Sequence, residues 1–133
     1  MNVFRQIPLL VCLLFISALT GCNRGPQMCE VTGKVSFQGK AVEEGDIVFA
    51  DVDKRAPTAA GRIEFGKYRV KVLPGKKSVR ITGNKKTGKT IREGMAPEVA
   101  DRVDLIPAKY NLSTTLVRSV KPQDTMQLDF PLD

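Results

Sequence analysis

The chain has 133 residues, of which 21 are Lys or Arg and 14 are Asp or Glu, and it contains no His. This length suits one domain of ordinary size, and the scattered net charge of +7 gives little support for nucleic-acid binding. Without His, the chain lacks a residue that Ser-His-Asp catalysis, a His-activated thiol and most zinc sites require. We therefore expect a protein that is not an enzyme and that holds neither a metal ion nor a cofactor.

The first 21 residues have the pattern of a secretion signal. Arg5 precedes an apolar run at 7–18, which is shorter than the roughly 20 apolar residues that a membrane-spanning helix needs. Leu-Thr-Gly-Cys follows at 19–22, with an apolar residue three positions before the Cys and two small residues beside it. This pattern resembles the bacterial lipobox. The resemblance implies that residues 1–21 are a signal peptide and that Cys22 becomes the lipid-modified N-terminus.

The remaining cysteines predict no internal disulfide. Cys12 lies within the signal and Cys22 is used for lipidation, so Cys29 has no partner within the chain. We expect Cys29 to be a small buried hydrophobe, and the alternative is a disulfide between two molecules. Residues 22–28, the lipidated Cys and a short polar tether, are predicted to precede a domain at 29–133.

From residue 29 onward the sequence has the pattern of an all-β domain. Turn residues separate runs rich in Val, Ile, Thr, Phe and Tyr, and these runs alternate at period two. The clearest run, at 67–72, alternates three basic residues with three apolar ones. About seven strands without a substantial helix are typical of an antiparallel two-sheet sandwich. The side chains predicted to be largely buried are Val35, Phe37, Ile47, Phe49, Tyr68, Val70, Val72, Val79, Ile81, Leu116 and Phe130.

The strand pattern stops after Gly83, and residues 84–108 are predicted as a long loop with one or two helical turns at 97–103. Gly-Asn-Lys-Lys-Thr-Gly-Lys-Thr at 83–90 satisfies the phosphate-loop pattern G-x-x-x-x-G-K-T. A working phosphate loop is followed by a helix, whereas Gly94 and Pro97 interrupt this segment. We therefore interpret 83–90 as a solvated basic hairpin loop and expect no nucleotide ligand.

Two groups of carboxylates are candidate calcium ligands. Glu43, Glu44 and Asp46 surround a turn glycine, and Asp51 lies two residues before Asp53. Neither group follows a recognised calcium-binding loop, so solvation of turns is the favoured interpretation.

Four segments together resemble the carboxypeptidase regulatory-like domains. They are Val-Thr-Gly-Lys-Val-Ser-Phe-Gln-Gly-Lys at 31–40, Glu-Gly-Asp-Ile-Val-Phe at 44–49, Gly-Lys-Tyr at 66–68 and Pro-Gly-Lys at 74–76. Ile-Pro-Ala-Lys-Tyr-Asn at 106–111 resembles the version found in many small planctomycete-type lipoproteins. The resemblance implies a transthyretin-like (prealbumin-like) sandwich and a non-catalytic module without an agreed ligand. For Tyr110 we expect core packing with its hydroxyl bonded to the backbone, and for Asn111 a turn or cap.

Two functions of different classes agree with these observations. The first is a lipid-anchored accessory of the cell envelope that is structural or binds another protein, and its exposed edge strands offer backbone groups for pairing. The second is a module that binds carbohydrate or an envelope polymer. The absence of Trp favours the first, because sugar-binding sandwiches usually stack sugars on exposed aromatic rings. The expected partners are the membrane, through lipid on Cys22, and an envelope protein or polymer. In enteric bacteria an Asp directly after the lipidated Cys is a retention signal, and this chain has Asn23 at that position. The outer membrane is therefore the favoured location.

Overall fold

The computed structural model describes residues 25–133, and the predicted signal peptide and Cys22 lie outside those residues. Within 25–133 the regular structure is all-β apart from one 3₁₀ turn at Ala108–Tyr110, which confirms the predicted class. Ten strands are present there, rather than the seven that the sequence predicts. They are β1 Cys29–Phe37, β2 Lys40–Ala41, β3 Glu44–Asp51, β4 Ala59–Glu64, β5 Lys67–Val72, β6 Gly75–Ile91, β7 Val99–Asp104, β8 Val117–Val120, β9 Thr125–Gln127 and β10 Phe130–Leu132.

The strands surround a single core, with most of them in one curled sheet, while β2 and β10 pair with the last residues of β1 as a second, smaller sheet. Hydrogen-bonded neighbours follow the order β10-β1-β5-β4-β3-β6-β7, while β2 and β9 pair with β1 and β8 pairs with β6. Most neighbours are antiparallel, but β9 and β10 run parallel to β1, which differs from the predicted all-antiparallel arrangement. The curled sheet has the shape of a half-barrel, with the buried apolar residues on its inner face.

The last predicted strand, 125–132, is divided into β9 and β10 because its pairing with the edge of β1 is interrupted beside Gly33. The carbonyl oxygen of Leu128 would lie 1.8 Å from a Cβ atom added to Gly33, so only glycine permits this close approach. The backbone N–H of Lys34 donates to Oδ1 of Asp129 at 2.8 Å and bridges the interruption. As a result, β9 pairs with residues 30–32 and β10 with residues 35–37.

The predicted loop at 84–108 is wrong for most of its length. β6 continues to Ile91, and β7 pairs antiparallel with it, so strand replaces the helical turns predicted at 97–103. Nearly all side chains of this strand pair are exposed. Because neither face is buried, no alternation of apolar and polar residues marks these strands in the sequence.

The core contains nine of the eleven side chains predicted to be buried, while Phe37 and Leu116 are partly buried against it. The rings of Phe49, Tyr68 and Phe130 form its centre, with centroids 6.2 to 6.4 Å apart. This spacing suits tilted and edge-to-face aromatic contacts. Burial raises the pKa of the Tyr68 hydroxyl, which stays protonated and acts as a hydrogen-bond donor inside the core.

Val70→Asp is expected to unfold the domain, whereas Lys71→Asp should melt close to the wild type. Val70 points into the core and is 6% exposed, and Lys71 is exposed on the opposite face of β5. A buried carboxylate without a partner costs several kcal/mol, which is comparable to the whole stability of a domain of this size. Thermal melts followed by far-ultraviolet circular dichroism test this pair. Equal effects at positions 70 and 71 would contradict the register of β5.

Candidate interaction surface

The outer part of β6 and the whole of β7 extend beyond the rest of the sheet as a two-stranded ribbon, residues 84–104. The first residue of β3, Glu44, lies opposite Asn84, so β3 does not extend along the rest of β6. In the part of the chain that the structure describes, residues 85–91 therefore have a neighbouring strand on the β7 side alone. β7 is the last strand in the sheet order, and its outer edge is also without a partner in residues 25–133. Both edges therefore present unpaired backbone N–H and C=O groups to an incoming strand.

The ribbon also exposes apolar side chains. Ile91, Met95, Val99 and Val103 have exposed fractions between 46% and 105%. Single exposed apolar residues are ordinary on protein surfaces, but four within one short ribbon form a concentrated apolar element. Apolar side chains next to unpaired strand edges are the two features that recognition by strand addition uses.

The phosphate-loop pattern at 83–90 lies within β6. The pairing of β6 with β7 is irregular between Lys86 and Thr90, and Gly88 has a positive φ of 80°. The strand then continues to Ile91. The segment that matches the pattern is therefore a bulged strand, without the loop and following helix of a phosphate-binding site. The prediction of a hairpin loop at 83–90 is wrong.

An ion-pair network joins the base of the ribbon to β3. Nζ of Lys86 lies 3.0 Å from Oε1 of Glu44, and Nη1 of Arg102 lies 3.0 Å from the other carboxylate oxygen. The hydrogen bond from Lys86 lowers the pKa of Glu44, and the charge of Arg102 lowers it further. Glu44, a candidate calcium ligand from the sequence, is thus an ionised carboxylate that contacts both ribbon strands.

An exposed aromatic ring stands beside the base of the ribbon. Phe65 is 84% exposed and has a positive φ of 50° in the turn between β4 and β5, an unusual conformation for a bulky residue. The N–H groups of Phe65 and Gly66 donate to the carbonyls of Glu43 and Val42, both at 2.8 Å, and connect the turn to the start of β3. A groove of about 380 Å³ lies here, lined by Glu43, Glu44, Arg62, Glu64, Phe65, Asn84 and Lys86.

The exposure of Phe65 has no signal in the pattern of alternating strands. An aromatic residue at the tip of a tight hairpin turn cannot reach the core, so its exposure follows from the turn itself. An exposed aromatic beside charged side chains is typical of protein interaction surfaces. Together, the ribbon, Phe65 and the groove make the candidate interaction surface.

The structure separates the two members of the second carboxylate pair, Asp51 and Asp53, into different surroundings. Oδ1 of Asp51 lies 2.9 Å from Nζ of Lys77, and Asp53 lies in the exposed turn that follows. The hydrogen bond from Lys77, followed by that from the backbone N–H of Arg55, lowers the pKa of Asp51. Across residues 25–133, no three His, Cys, Asp or Glu side chains are grouped to hold a metal ion.

The buried ion pair itself was missed by the sequence analysis. The side chain of Lys77 is fully buried, and the Asp51 side chain is 11% exposed. The sequence pattern could have indicated it, because residues 77, 79 and 81 alternate with more exposed positions and their side chains therefore point to the same, inner face of β6.

Asp51→Ala is expected to lower the melting temperature by on the order of 10 °C, because it leaves the Lys77 ammonium buried without a partner. Adding Lys77→Met to the same chain should restore most of the loss, since Met fills similar space without a charge. Folding lowers the pKa of Asp51. The pair therefore stabilises fully above the unfolded carboxylate pKa of about 3.9, and its contribution is lost as the pH falls through the folded value.

Thermal melts of these variants across pH measure this effect. The gap between the wild type and Asp51→Ala should be constant near neutral pH and close in strong acid. A gap that persists in strong acid, or a double variant that melts no higher than Asp51→Ala, would contradict the assignment.

Three further residues lie where the sequence predicted. Cys29 is fully buried and burial raises the pKa of its thiol, which disfavours the alternative of an intermolecular disulfide. Tyr110 packs against the core, and its hydroxyl donates to the carbonyl of Asp133 at 3.2 Å. The side-chain amide of Asn111 donates to the carbonyl of Ile106 at 3.2 Å and its oxygen accepts from the next N–H, as expected for a turn residue.

Comparisons with known proteins do not define a family for this chain. No family model matches it, and no curated protein sequence does either. A 9R-lipoxygenase from Cyanothece PCC8801 is among the solved structures that it matches, at 12% identity and a TM-score of 0.36. That match covers 80% of this chain but 16% of the lipoxygenase, and its TM-score is too low to relate the two folds. In the part of the chain that the structure describes, none of the helical segments is long and apolar enough to cross a membrane.

Proposed function

We propose that the protein is a lipoprotein of the cell envelope whose domain binds another envelope protein without catalysing a reaction. The ribbon at 84–104 is the observation that carries this proposal. It has two free strand edges, exposed apolar side chains and an ion-pair network that holds its base. Strand addition at such an edge takes its affinity from backbone hydrogen bonds and its specificity from neighbouring side chains.

The anchor is proposed from the sequence at 19–22. A lipid chain contributes about 0.8 kcal/mol per buried methylene, and two or more chains hold a protein stably at a membrane. The domain would then lie on the extracytoplasmic side, with the outer membrane favoured because Asn23 follows the lipidated residue.

For the fold, we propose the transthyretin-like two-sheet sandwich of the carboxypeptidase regulatory-like domains. The motif order at 31–40, 44–49, 66–68 and 74–76 supports this assignment, and so does an all-β chain curled around one core. Those motifs are glycines in turns and apolar residues in strands, so they concern architecture and assign no ligand.

Binding of carbohydrate or an envelope polymer remains the second candidate because Phe65 is exposed beside a groove. Stacking on a sugar uses an exposed ring, and Phe65 supplies one. The ribbon favours a protein partner over a sugar, since free strand edges are suited to pairing with another strand.

Cys22→Ser is expected to abolish membrane anchoring and leave the fold unchanged, because the core lies wholly within 29–133. Wild-type protein should enter the detergent phase of a Triton X-114 separation, and the variant should be misprocessed or remain aqueous. Mass spectrometry should find an acylated Cys22 at the mature N-terminus. An unacylated terminus, or wild-type protein in the aqueous phase, would disprove the lipoprotein assignment.

A photo-crosslinking residue placed at Met95 or Val99 in intact cells is expected to give a discrete protein adduct. The same probe at Lys121, an exposed residue outside the ribbon, is the matched control and should give none. Ile91→Asp should weaken the adduct at Met95 without lowering the melting temperature, since Ile91 is exposed and outside the core.

Two results of this experiment would count against a protein partner. One is equal adducts from the ribbon and from Lys121. The other is an adduct that resists protease and is digested by glycan-cleaving enzymes, which would favour the polymer-binding alternative.

A further inference from the structure

The outer face of the sheet carries a cluster of cations on β1 and β5. The register places Lys34 directly opposite Lys67, and all three outward side chains of β5 are basic. Like charges directly opposite each other destabilise a sheet, so the fold gains nothing from this pairing. We call this cluster the basic face, and it consists of Lys34, Lys67, Arg69 and Lys71.

Acidic neighbours offset only part of this charge. Oε1 of Glu30 lies 3.4 Å from Arg69, and Glu64 is the cross-strand neighbour of Lys67. Among the described residues, no carboxylate oxygen lies within 4.0 Å of the ammonium groups of Lys34, Lys67 or Lys71. The basic face therefore keeps a positive charge that an external anion can neutralise.

The shape of the basic face suits an extended anionic surface. A shallow, open groove of about 600 Å³ runs across it, and four of the side chains that line it are cationic: Lys34, Arg62, Lys67 and Arg69. An open groove gives little enclosure for a small ligand, whereas a layer of anionic groups can contact all the cations together.

The tether reaches the domain at one end of the basic face. Met28 lines a groove of about 410 Å³ together with Ala60, Arg69 and Lys71. Cys29 pairs with Val72, so the chain joins β1 beside the Lys71 end of β5. The seven residues from 22 to 28 span at most about 25 Å, which keeps the basic face near any membrane that holds Cys22.

We propose that the basic face lies against anionic lipid headgroups of the membrane that anchors the protein. This inference rests on the proposed lipidation of Cys22 and adds an orientation of the domain. A short tether raises the local concentration of headgroups around the cations. The potential of an anionic membrane falls off within a Debye length of about 10 Å, so only a face held close to the membrane responds to it.

The test uses the full-length lipidated protein, reconstituted into vesicles of phosphatidylcholine or of an equal mixture with phosphatidylglycerol. A fluorophore is attached through Ala60→Cys beside the basic face or through Met95→Cys at the ribbon, and nitroxide-labelled headgroups serve as quencher. Cys29 is fully buried and does not compete for the label. We expect stronger quenching at residue 60 than at residue 95, with a difference that is clearly larger in anionic vesicles than in pure phosphatidylcholine and that falls at high salt.

Charge variants separate the basic face from general attraction. Lys67→Glu with Lys71→Glu should reduce the difference in quenching between positions 60 and 95 in anionic vesicles to the value found in pure phosphatidylcholine. Lys85→Glu with Lys89→Glu, the same change in net charge on the ribbon, should preserve it. Circular dichroism of each variant checks that the fold is intact.

The outcomes distinguish the two proposals. Protein that floats with the vesicles but shows equal quenching at both positions overturns the basic-face orientation alone. A difference of the same size in uncharged and anionic vesicles also overturns it. Protein that floats with neither vesicle overturns the lipid anchor, and the orientation with it.

Discussion

The hydroxyl group of Tyr68 makes the hydrogen bond on which the closure of the domain depends. It donates to the carbonyl of Leu128 at 2.7 Å, where the pairing of the C-terminal segment with β1 is interrupted beside Gly33. Beyond this interruption β10 lies alongside β1, and the ring of Phe130 packs against Phe49 and Tyr68. The Tyr68 side chain thus belongs to the aromatic centre of the core and also ties the C-terminal segment to β5. Loss of that bond would leave a partly buried carbonyl without its donor.

The strand directions give the domain two distinct ends. β1 begins and β5 ends where the tether enters, beside Cys29 and Val72. The ribbon leaves the sheet at the opposite strand ends, where Glu44 pairs with Asn84. A protein held by lipid at residue 22 would therefore present the ribbon at the end of the domain remote from its anchor. The same strand order that builds the core separates the proposed membrane contact from the proposed protein contact.

The sequence predicted those elements whose side chains alternate between water and the core. Period-two patterns predict the strands β1, β3 and β5, and they also predict that the side chains of Tyr68 and Val70 face the core. β7 could not be found in this way, because its two faces are both exposed. The division at 128–129 was also missed, since it depends on a contact between residues almost a hundred positions apart.

The ion pairs at Lys77 and Glu44 also combine features that the local sequence pattern predicts with features that depend on strand pairing. Lys77 occupied an inward position that the strand pattern already marked, yet its partner was clear only once β3 and β6 were paired. The place of Glu44 at the base of the ribbon likewise depends on β7, which the sequence did not reveal. The features of the candidate interaction surface depend on long-range strand pairing, whereas the core depends on local alternation of apolar and polar residues.

The ribbon contributes little to the stability of the isolated domain. Within 84–104 hardly any side chain is buried, so its strands gain little from the hydrophobic effect that stabilises the remainder of the sheet. An exposed two-stranded ribbon with apolar side chains is marginal in water and carries a risk of aggregation. Lys85, Lys86 and Lys89 reduce that risk by placing charge along β6, and Glu44 anchors the base of the ribbon through two ion pairs. These two features, exposed apolar strands and charges that oppose self-association, are the physical basis of the proposal that another protein pairs with the ribbon.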